Sequence, residues 1–195
     1  SLDVSNNLLL ENLRAYYNDI VSIDLSVNDS LVYVDLFNNS LTAVTGVNNK
    51  PKLEDLLIHN VTYNAGPNNN VTSLDVSGCP SLTDLRASNN NLSSINVTGC
   101  TSMSGLTVSG NQLSTIDVST LDSLRGFVAS NNQLTSLDLS NNAKLRGLYI
   151  DNNDLASLDL SNNTALTTLY CFSNQLTSLD VSNNLLLENL RAYYN

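Results

Sequence analysis

A mainly β solenoid of stacked coils, about 21 residues per coil and with little or no helix, is the fold class predicted for this 195-residue chain. Three observations predict it. Apolar residues return at a fixed spacing, asparagine returns at one place in each return, and residues 1–18, SLDVSNNLLLENLRAYYN, reappear letter for letter at 178–195. Self-similarity at a period of roughly 20–50 residues marks a repeat architecture.

The period justifies each coil in turn. Units open at Leu10, Leu31, Leu53, Leu82, Met103, Leu124, Leu145, Leu166 and Leu187. Successive openings are spaced by 21, 22, 29, 21, 21, 21, 21 and 21, and the ninth unit is cut short. They share L-x-x-L-x-[AVIL]-x-x-N-x-L-x-x-[LI]-D-[LV]-S-x-N-x-x. Positions 1, 4, 6, 11, 14 and 16 are the inward ones, and the alternation L-x-[AVIL] marks a short strand. The second half of the unit imitates the first, so one coil holds two short extended stretches and two turns. A lone coil buries six apolar side chains at roughly 1.5–3 kcal/mol each. Ordering its backbone costs roughly 1–2 kcal/mol per residue, so stability has to come from stacking on neighbours.

A longer period lies above the short one. Leu10 and Leu187 stand at the same place in the duplicated eighteen letters, and eight complete units separate them. Residues 1–195 therefore form a single solenoid array: one 177-residue super-unit of eight coils plus an 18-residue repeat of its start, with ends that carry no caps. In a continuing array the next residues resemble those from Asp19 onward. A chain designed with matching ends is the alternative. The third unit carries an insertion loop at about residues 59–70, HNVTYNAGPNNN.

These motifs resemble the leucine-rich repeats, specifically the nested 21-residue bacterial type called IRREKO, with consensus LxxLxLxxNxLxxLDLxxNxx. The resemblance covers essentially the whole chain. It implies an inward ladder of the position-9 asparagines, each bonding backbone groups of adjacent coils: Asn18, Asn39, Asn69, Asn90, Asn111, Asn132, Asn153, Asn174 and Asn195. An amide carries both the donors and the acceptor such a place needs. The resemblance also implies that partners are met on the outward positions of the first strand.

Position 7 of that strand reads Tyr16, Phe37, His59, Ser88, Ser109, Ser130, Asp151, Phe172, Tyr193. Position 5 adds Tyr149 and Tyr170, while Tyr17, Tyr33 and Tyr194 lie beside the row. Clustered exposed aromatics point to contact; rings stacking along a sheet only to stabilise it are the alternative. The insertion, with His59 and Tyr63, is a second candidate contact, its alternative a tolerated surface loop.

Composition narrows the function. A net charge of −10 with eight Lys and Arg argues against nucleic acid and polybasic membrane contact. No apolar run approaches a membrane span and no signal peptide precedes the repeats. The chain opens without Met, as a processed chain or an excerpt does. Thirty-two asparagines dominate the polar positions, and seven Asn-x-Ser/Thr sequons follow from that composition. Cys79 and Cys100 occupy the second asparagine place of their units, and Cys171 an inward one. The row Asp24, Asp75, Asp117, Asp138, Asp159 and Asp180 raises calcium, although the loops of known calcium sites are missing. No nucleophile–base pair, phosphate-cradling loop or ligand set emerges, so neither an enzyme nor a cofactor is expected. The sequence is read first as a structural segment of an extracellular microbial filament, fibre or surface stalk, its partners further copies or a continuation of the same array end to end. The alternative is an adhesin-like module at the cell surface that recognises a protein or glycan.

Overall fold

The computed structural model describes residues 2–61 and 68–195. Thirteen three-residue strands and no helix are found there: β1 (Asn12–Arg14), β2 (Ser22–Asp24), β3 (Tyr33–Asp35), β4 (Ala43–Thr45), β5 (Asp55–Leu57), β6 (Ser73–Asp75), β7 (Asp84–Arg86), β8 (Ser94–Asn96), β9 (Gly105–Thr107), β10 (Gly126–Val128), β11 (Gly147–Tyr149), β12 (Thr168–Tyr170) and β13 (Asn189–Arg191). The molecule is a mainly β solenoid whose coils follow the sequence period. Nine strands form one parallel sheet, ordered β1-β3-β5-β7-β9-β10-β11-β12-β13.

The unit explains the sheet. Each strand covers positions 3 to 5, and its middle residue, position 4, points inward between two outward neighbours. Pairing keeps this register: Leu13 lies opposite Val34, Val34 opposite Leu56, and Phe127 between Leu106 and Leu148. Positions 6, 11 and 16 complete one continuous core, fully buried at Leu36, Leu41, Ile58, Leu92, Leu113, Leu134 and Leu155 among others.

The two halves of the coil are not equivalent. The sequence predicts two extended stretches per coil, but among the described residues the second is paired as strand only in β2–β4 and β6–β8. In the later coils single bonds such as Gln133 N–H to the Leu113 carbonyl (2.9 Å) and Gln175 N–H to the Leu155 carbonyl (2.9 Å) replace the ladder. Position 14, which ought to be inward, is only half-buried at Ile95, Leu137 and Leu179. Side chains bridge the coils after both stretches, but beside the first strand the position-9 amide both donates and accepts, whereas after the second stretch Asn142 and its equivalents only donate.

The second unit takes its one extra residue at Gly46. Val47 behind it is buried where Leu25 sits in the preceding coil, and Gly46 adopts φ +69°. A Cβ on Gly46 would lie 2.2 Å from the backbone nitrogen of Ser26. Left-handed strain and backbone overlap act together in Gly46→Ala, which is expected to cost about 2–5 kcal/mol. A urea midpoint unchanged by that substitution contradicts this placement.

Candidate interaction face

The asparagine ladder builds the platform on which outward residues stand. In each coil the position-9 amide donates twice, to the position-6 carbonyl of its own coil and to that of the coil before. Asn132 Nδ2 donates to Ala129 O (3.1 Å) and Val108 O (3.0 Å), and Asn153 Nδ2 to Ile150 O and Ala129 O (both 3.0 Å). Its Oδ1 accepts the backbone N–H two residues past the preceding ladder asparagine: Leu113 N–H reaches Asn132 Oδ1 at 3.0 Å. The same bonds recur at Asn39, Asn90, Asn111 and Asn174. Asn18 bonds only within its own coil, and Asn195 reaches back to Cys171 O at 3.3 Å.

The insertion does not interrupt the ladder. Asn69 Nδ2 donates to Leu36 O and Ile58 O, and Asn69 Oδ1 accepts from Leu41 N–H at 3.0 Å. Asn60 and Asn69 close the base of the loop, with Asn69 N–H on Asn60 Oδ1 at 2.7 Å and Asn60 Nδ2 on Asn69 O at 2.8 Å. Tyr63 lies outside the described residues, so the loop's proposed contact rests on His59 at its base. Burial and the nearby Arg86 guanidinium push the His59 imidazole below its ordinary range.

A second ladder, which sequence reasoning saw only as a cysteine substitution, runs through Asn28, Lys50, Cys79, Cys100, Asn142, Asn163 and Asn184. Its asparagines donate without accepting, while Cys79 Sγ also accepts from the Lys50 N–H at 3.4 Å. Asn142 Nδ2 donates to Val118 O (3.1 Å) and Leu121 O (2.9 Å), while the Oδ1 atoms of Asn28, Asn142, Asn163 and Asn184 are buried without a partner. Cys79 and Cys100 put Sγ against Val47 O (3.1 Å) and Val76 O (3.2 Å). Buried Lys50 reaches Ser26 O at 3.0 Å and pairs with Asp29 at 2.6 Å. All three thiols are free and buried; burial pushes Cys100 and Cys171 up to about 11.

The aspartate row has a local task. Asp24, Asp75, Asp117, Asp138, Asp159 and Asp180 each accept the backbone N–H of the serine two residues on, at 2.8–3.0 Å, closing a turn. Among the described residues no group of three or more His, Cys, Asp or Glu is placed to hold a metal ion. Those serine bonds lower the pKa of Asp24, Asp117, Asp138, Asp159 and Asp180. A carboxylate lowered in the folded state contributes stability above its unfolded value, about 3.9, and loses that contribution as pH falls through the folded value. Asp35 and Asp55, raised chiefly by burial, act oppositely and relax on protonation. Urea midpoints are expected to fall from about pH 5 to pH 3, and Asp138→Asn, which keeps the acceptor, to flatten part of that fall. An equally steep profile in the variant rejects this assignment.

On the outward face the rings stack along the sheet. Tyr16, Phe37 and His59 form a column, with centroids 4.8 and 5.2 Å apart and interplanar angles of 12° and 17°. Phe172 and Tyr193 repeat it at 4.7 Å and 11°. Tyr149 meets Tyr170 edge to face at 4.9 Å, Arg191 lies over Tyr170 at 4.4 Å and Arg14 over Tyr33 at 4.9 Å. Tyr33 also donates to Asp35 Oδ2 at 3.4 Å. The sequence's two aromatic groups are thus brought together within each group. Units opened by Leu82, Met103 and Leu124 carry no aromatic side chain outward on the strand, and stand between them.

Position 8, next to the column, is left-handed at Asn38, Asn89, Gly110, Asn131, Asn152 and Ser173, with φ of 50–66°, but not at Asn60, where the insertion begins. Asparagine and glycine suit it. Tyr17 (55°) and Tyr194 (57°) do not, and both rings stay exposed.

Sequence reasoning missed two further features of the face. Gly105, Gly126 and Gly147 pair in register at position 3, and Arg125 and Arg146 precede two of them. The signal was their recurrence at fixed positions of consecutive units.

No family model matches the chain, and no curated protein matches it. Solved structures do. The functional domain of InlJ from Listeria monocytogenes, described as including a cysteine ladder, shares 30% identity with a TM-score of 0.82, over 96% of this chain and 40% of that one. The leucine-rich effector YopM from Yersinia pestis shares 28% with a TM-score of 0.69, over 93% of this chain and 50% of that one. The fold is that of the leucine-rich-repeat proteins. It spans two fifths of the InlJ chain and half of the YopM chain. The leucine-rich-repeat part of FLRT2, solved in an octameric complex with Latrophilin 3 and Unc5D, matches at 23% identity and a TM-score of 0.71, over 94% of this chain and 63% of that one. In this chain the second ladder is where cysteine stands, at two successive coils.

Proposed function

We propose that the chain is a recognition module which meets a protein or glycan through the outward face of its nine-stranded sheet, at a cell surface or outside the cell. The placement of Tyr17 and Tyr194 carries this reading. A bulky residue held left-handed costs about 1–3 kcal/mol, and such outliers gather where a surface has work to do. Asparagine, used at the same place in neighbouring coils, removes that cost, yet both copies keep an exposed tyrosine. The assembly of FLRT2 with other proteins in its solved complex supports the same use of the fold. No helix of the described residues is long and apolar enough to cross a membrane.

Replacing Tyr149, Tyr170 and Phe172 together with serine tests the face. Each aromatic pair is worth about 0.5–1.5 kcal/mol, so a modest drop in Tm is expected from lost stacking. Binding to an array of extracellular proteins and polysaccharides, measured well below the melting range, is expected to fall about tenfold or more. A lowered Tm with every array signal intact means that the rings only stabilise the sheet.

The second reading, a segment of an extracellular fibre, is favoured by one observation. The Phe172–Tyr193 stack (4.7 Å, 11°) reproduces the Tyr16–Phe37 stack (4.8 Å, 12°), so the super-unit can be continued without altering its geometry. Electron micrographs of native material check it: filaments of uniform width support the fibre, dispersed particles the module alone.

A further inference from the structure

We propose that the middle coils of the long sheet, from β9 to β12, seat an acidic polysaccharide, with Arg125 and Arg146 gripping its carboxylates and Tyr149 bearing on a sugar ring. The proposal rests on the outward face being a binding surface, and names the ligand class that one stretch of it takes.

The first observation is a charge without a partner. Acidic side chains outnumber basic ones 18 to 8, so a cation in this chain has carboxylates to choose from. Among the described residues the ion pairs are Lys50–Asp29 and Arg86–Asp84. Arg14, Lys52, Arg125, Lys144, Arg146 and Arg191 join neither, and of these only Arg125 and Arg146, both exposed, hold the same position on adjacent coils, where Gly147 N–H bonds Arg125 O at 3.0 Å. Two like charges are held side by side and left open.

The second is the glycine at position 3. Glycine is disfavoured inside strands, and there it often marks the close approach of a ligand. Gly110, Gly78 and Gly99 have positive φ and need no further reason. Gly105, Gly126 and Gly147 do not have positive φ, so their backbone accepts any residue. A Cβ on Gly126 meets nothing within 4 Å. The outward place above Gly147 is taken by the Tyr149 ring, whose Cε2 lies 3.2 Å from where that Cβ would be. A bare step at Gly126 thus adjoins a strand whose tyrosine leans back over its own Gly147.

Charge selects the occupant. The first four units present Glu11, Glu54, Asp55 and Asp84 on this face, Asp84 paired with Arg86, and the glycine step begins where they end. Of the acids beyond it, Asp151 is buried and already accepts from Ser130 Oγ (2.7 Å) and Asn152 Nδ2 (2.9 Å), and Glu188 stands two coils past Arg146. The stretch is therefore cationic in an anionic molecule. An added peptide strand needs a free sheet edge, and β9, β10 and β11 are paired on both sides. A sugar chain needs no edge. Its ring faces lie on tyrosine, and its carboxylates suit the forked guanidinium.

Calorimetric titration of the whole chain with alginate oligomers tests the proposal, with neutral dextran and poly-L-glutamate as controls. Alginate is expected to bind and dextran not, with affinity falling as salt is raised. Arg125→Gln with Arg146→Gln, and separately Gly126→Val, should each weaken alginate about tenfold or more while Tm stays within a few degrees, since the removed or added groups touch no core atom. Gly126→Val keeps both charges, so it separates the seat from mere attraction. No alginate binding, or binding indifferent to both variants, overturns the proposal; poly-L-glutamate binding as tightly as alginate overturns it in favour of an acidic protein partner. Failure here with an array partner still lost in the Tyr149, Tyr170 and Phe172 variant ends this proposal alone. Failure of both ends the recognition reading as well.

Discussion

Asn132→Ala is expected to cost about 3–5 kcal/mol in urea unfolding, more than a typical substitution of a polar residue. The amide sits in the middle of the ladder and is buried. Its removal orphans the Leu113 N–H, which donates to Asn132 Oδ1, at about 1–3 kcal/mol. A longer bond to Ser130 O (3.4 Å) is lost, and with it those to Val108 O and Ala129 O, at about 0.5–1.5 kcal/mol each. The Val108 and Ala129 carbonyls stay partnered, because Asn111 and Asn153 also donate to them. The control is Asn142→Cys in the second ladder. A thiol retains the donor, as Cys100 does toward Val76 O, and removes a buried Oδ1 that bonds nothing. Its cost is expected below about 1.5 kcal/mol. Equal costs for the two substitutions refute the distinction between a ladder that donates and accepts and one whose asparagines only donate.

Phe127→Ala is expected to cost a similar amount, about 3–5 kcal/mol, through the cavity it leaves. Phe127 is fully buried at position 4 between Leu106 and Leu148, and its coil cannot collapse because β9 and β11 hold β10 from both sides. Phe127→Leu restores the residue type of the neighbouring coils and is expected to cost less than about 1.5 kcal/mol. A similar loss for both variants shows that the packing around the ring, not its volume, governs this site.

Much of the scaffold is legible in the repeat itself. Leu113, Leu134 and Leu155 recur at position 11 and are fully buried; Asn132 and its equivalents bond two coils, Asn69 resumes their row after the insertion, and Asn18 bonds only within its own coil. Cys171 is core, as its position indicated. The face was less legible. The aromatics were found, but their stacking was left open against contact, and the structure shows stacking within each group. Asp138 and its equivalents drew attention as a metal row, whereas each closes its own turn. Arg125, Arg146 and Gly126 recur at fixed positions of consecutive units, but their meaning depends on which partners they lack.

What the sequence determined by itself is everything that repeats within one coil: inward positions, the short strand and the asparagine that follows it. These depend on alternation and backbone chemistry inside a single repeat, and a pattern that short is written in full along the chain. Tertiary structure alone decided that the second stretch is mostly unpaired, that Lys50 joins a ladder of asparagines and thiols, and that one step of the face stands bare between acids and tyrosines. Each of those facts is a relation between coils. The atoms concerned lie a whole turn of the solenoid apart in sequence, and only stacking brings them within reach.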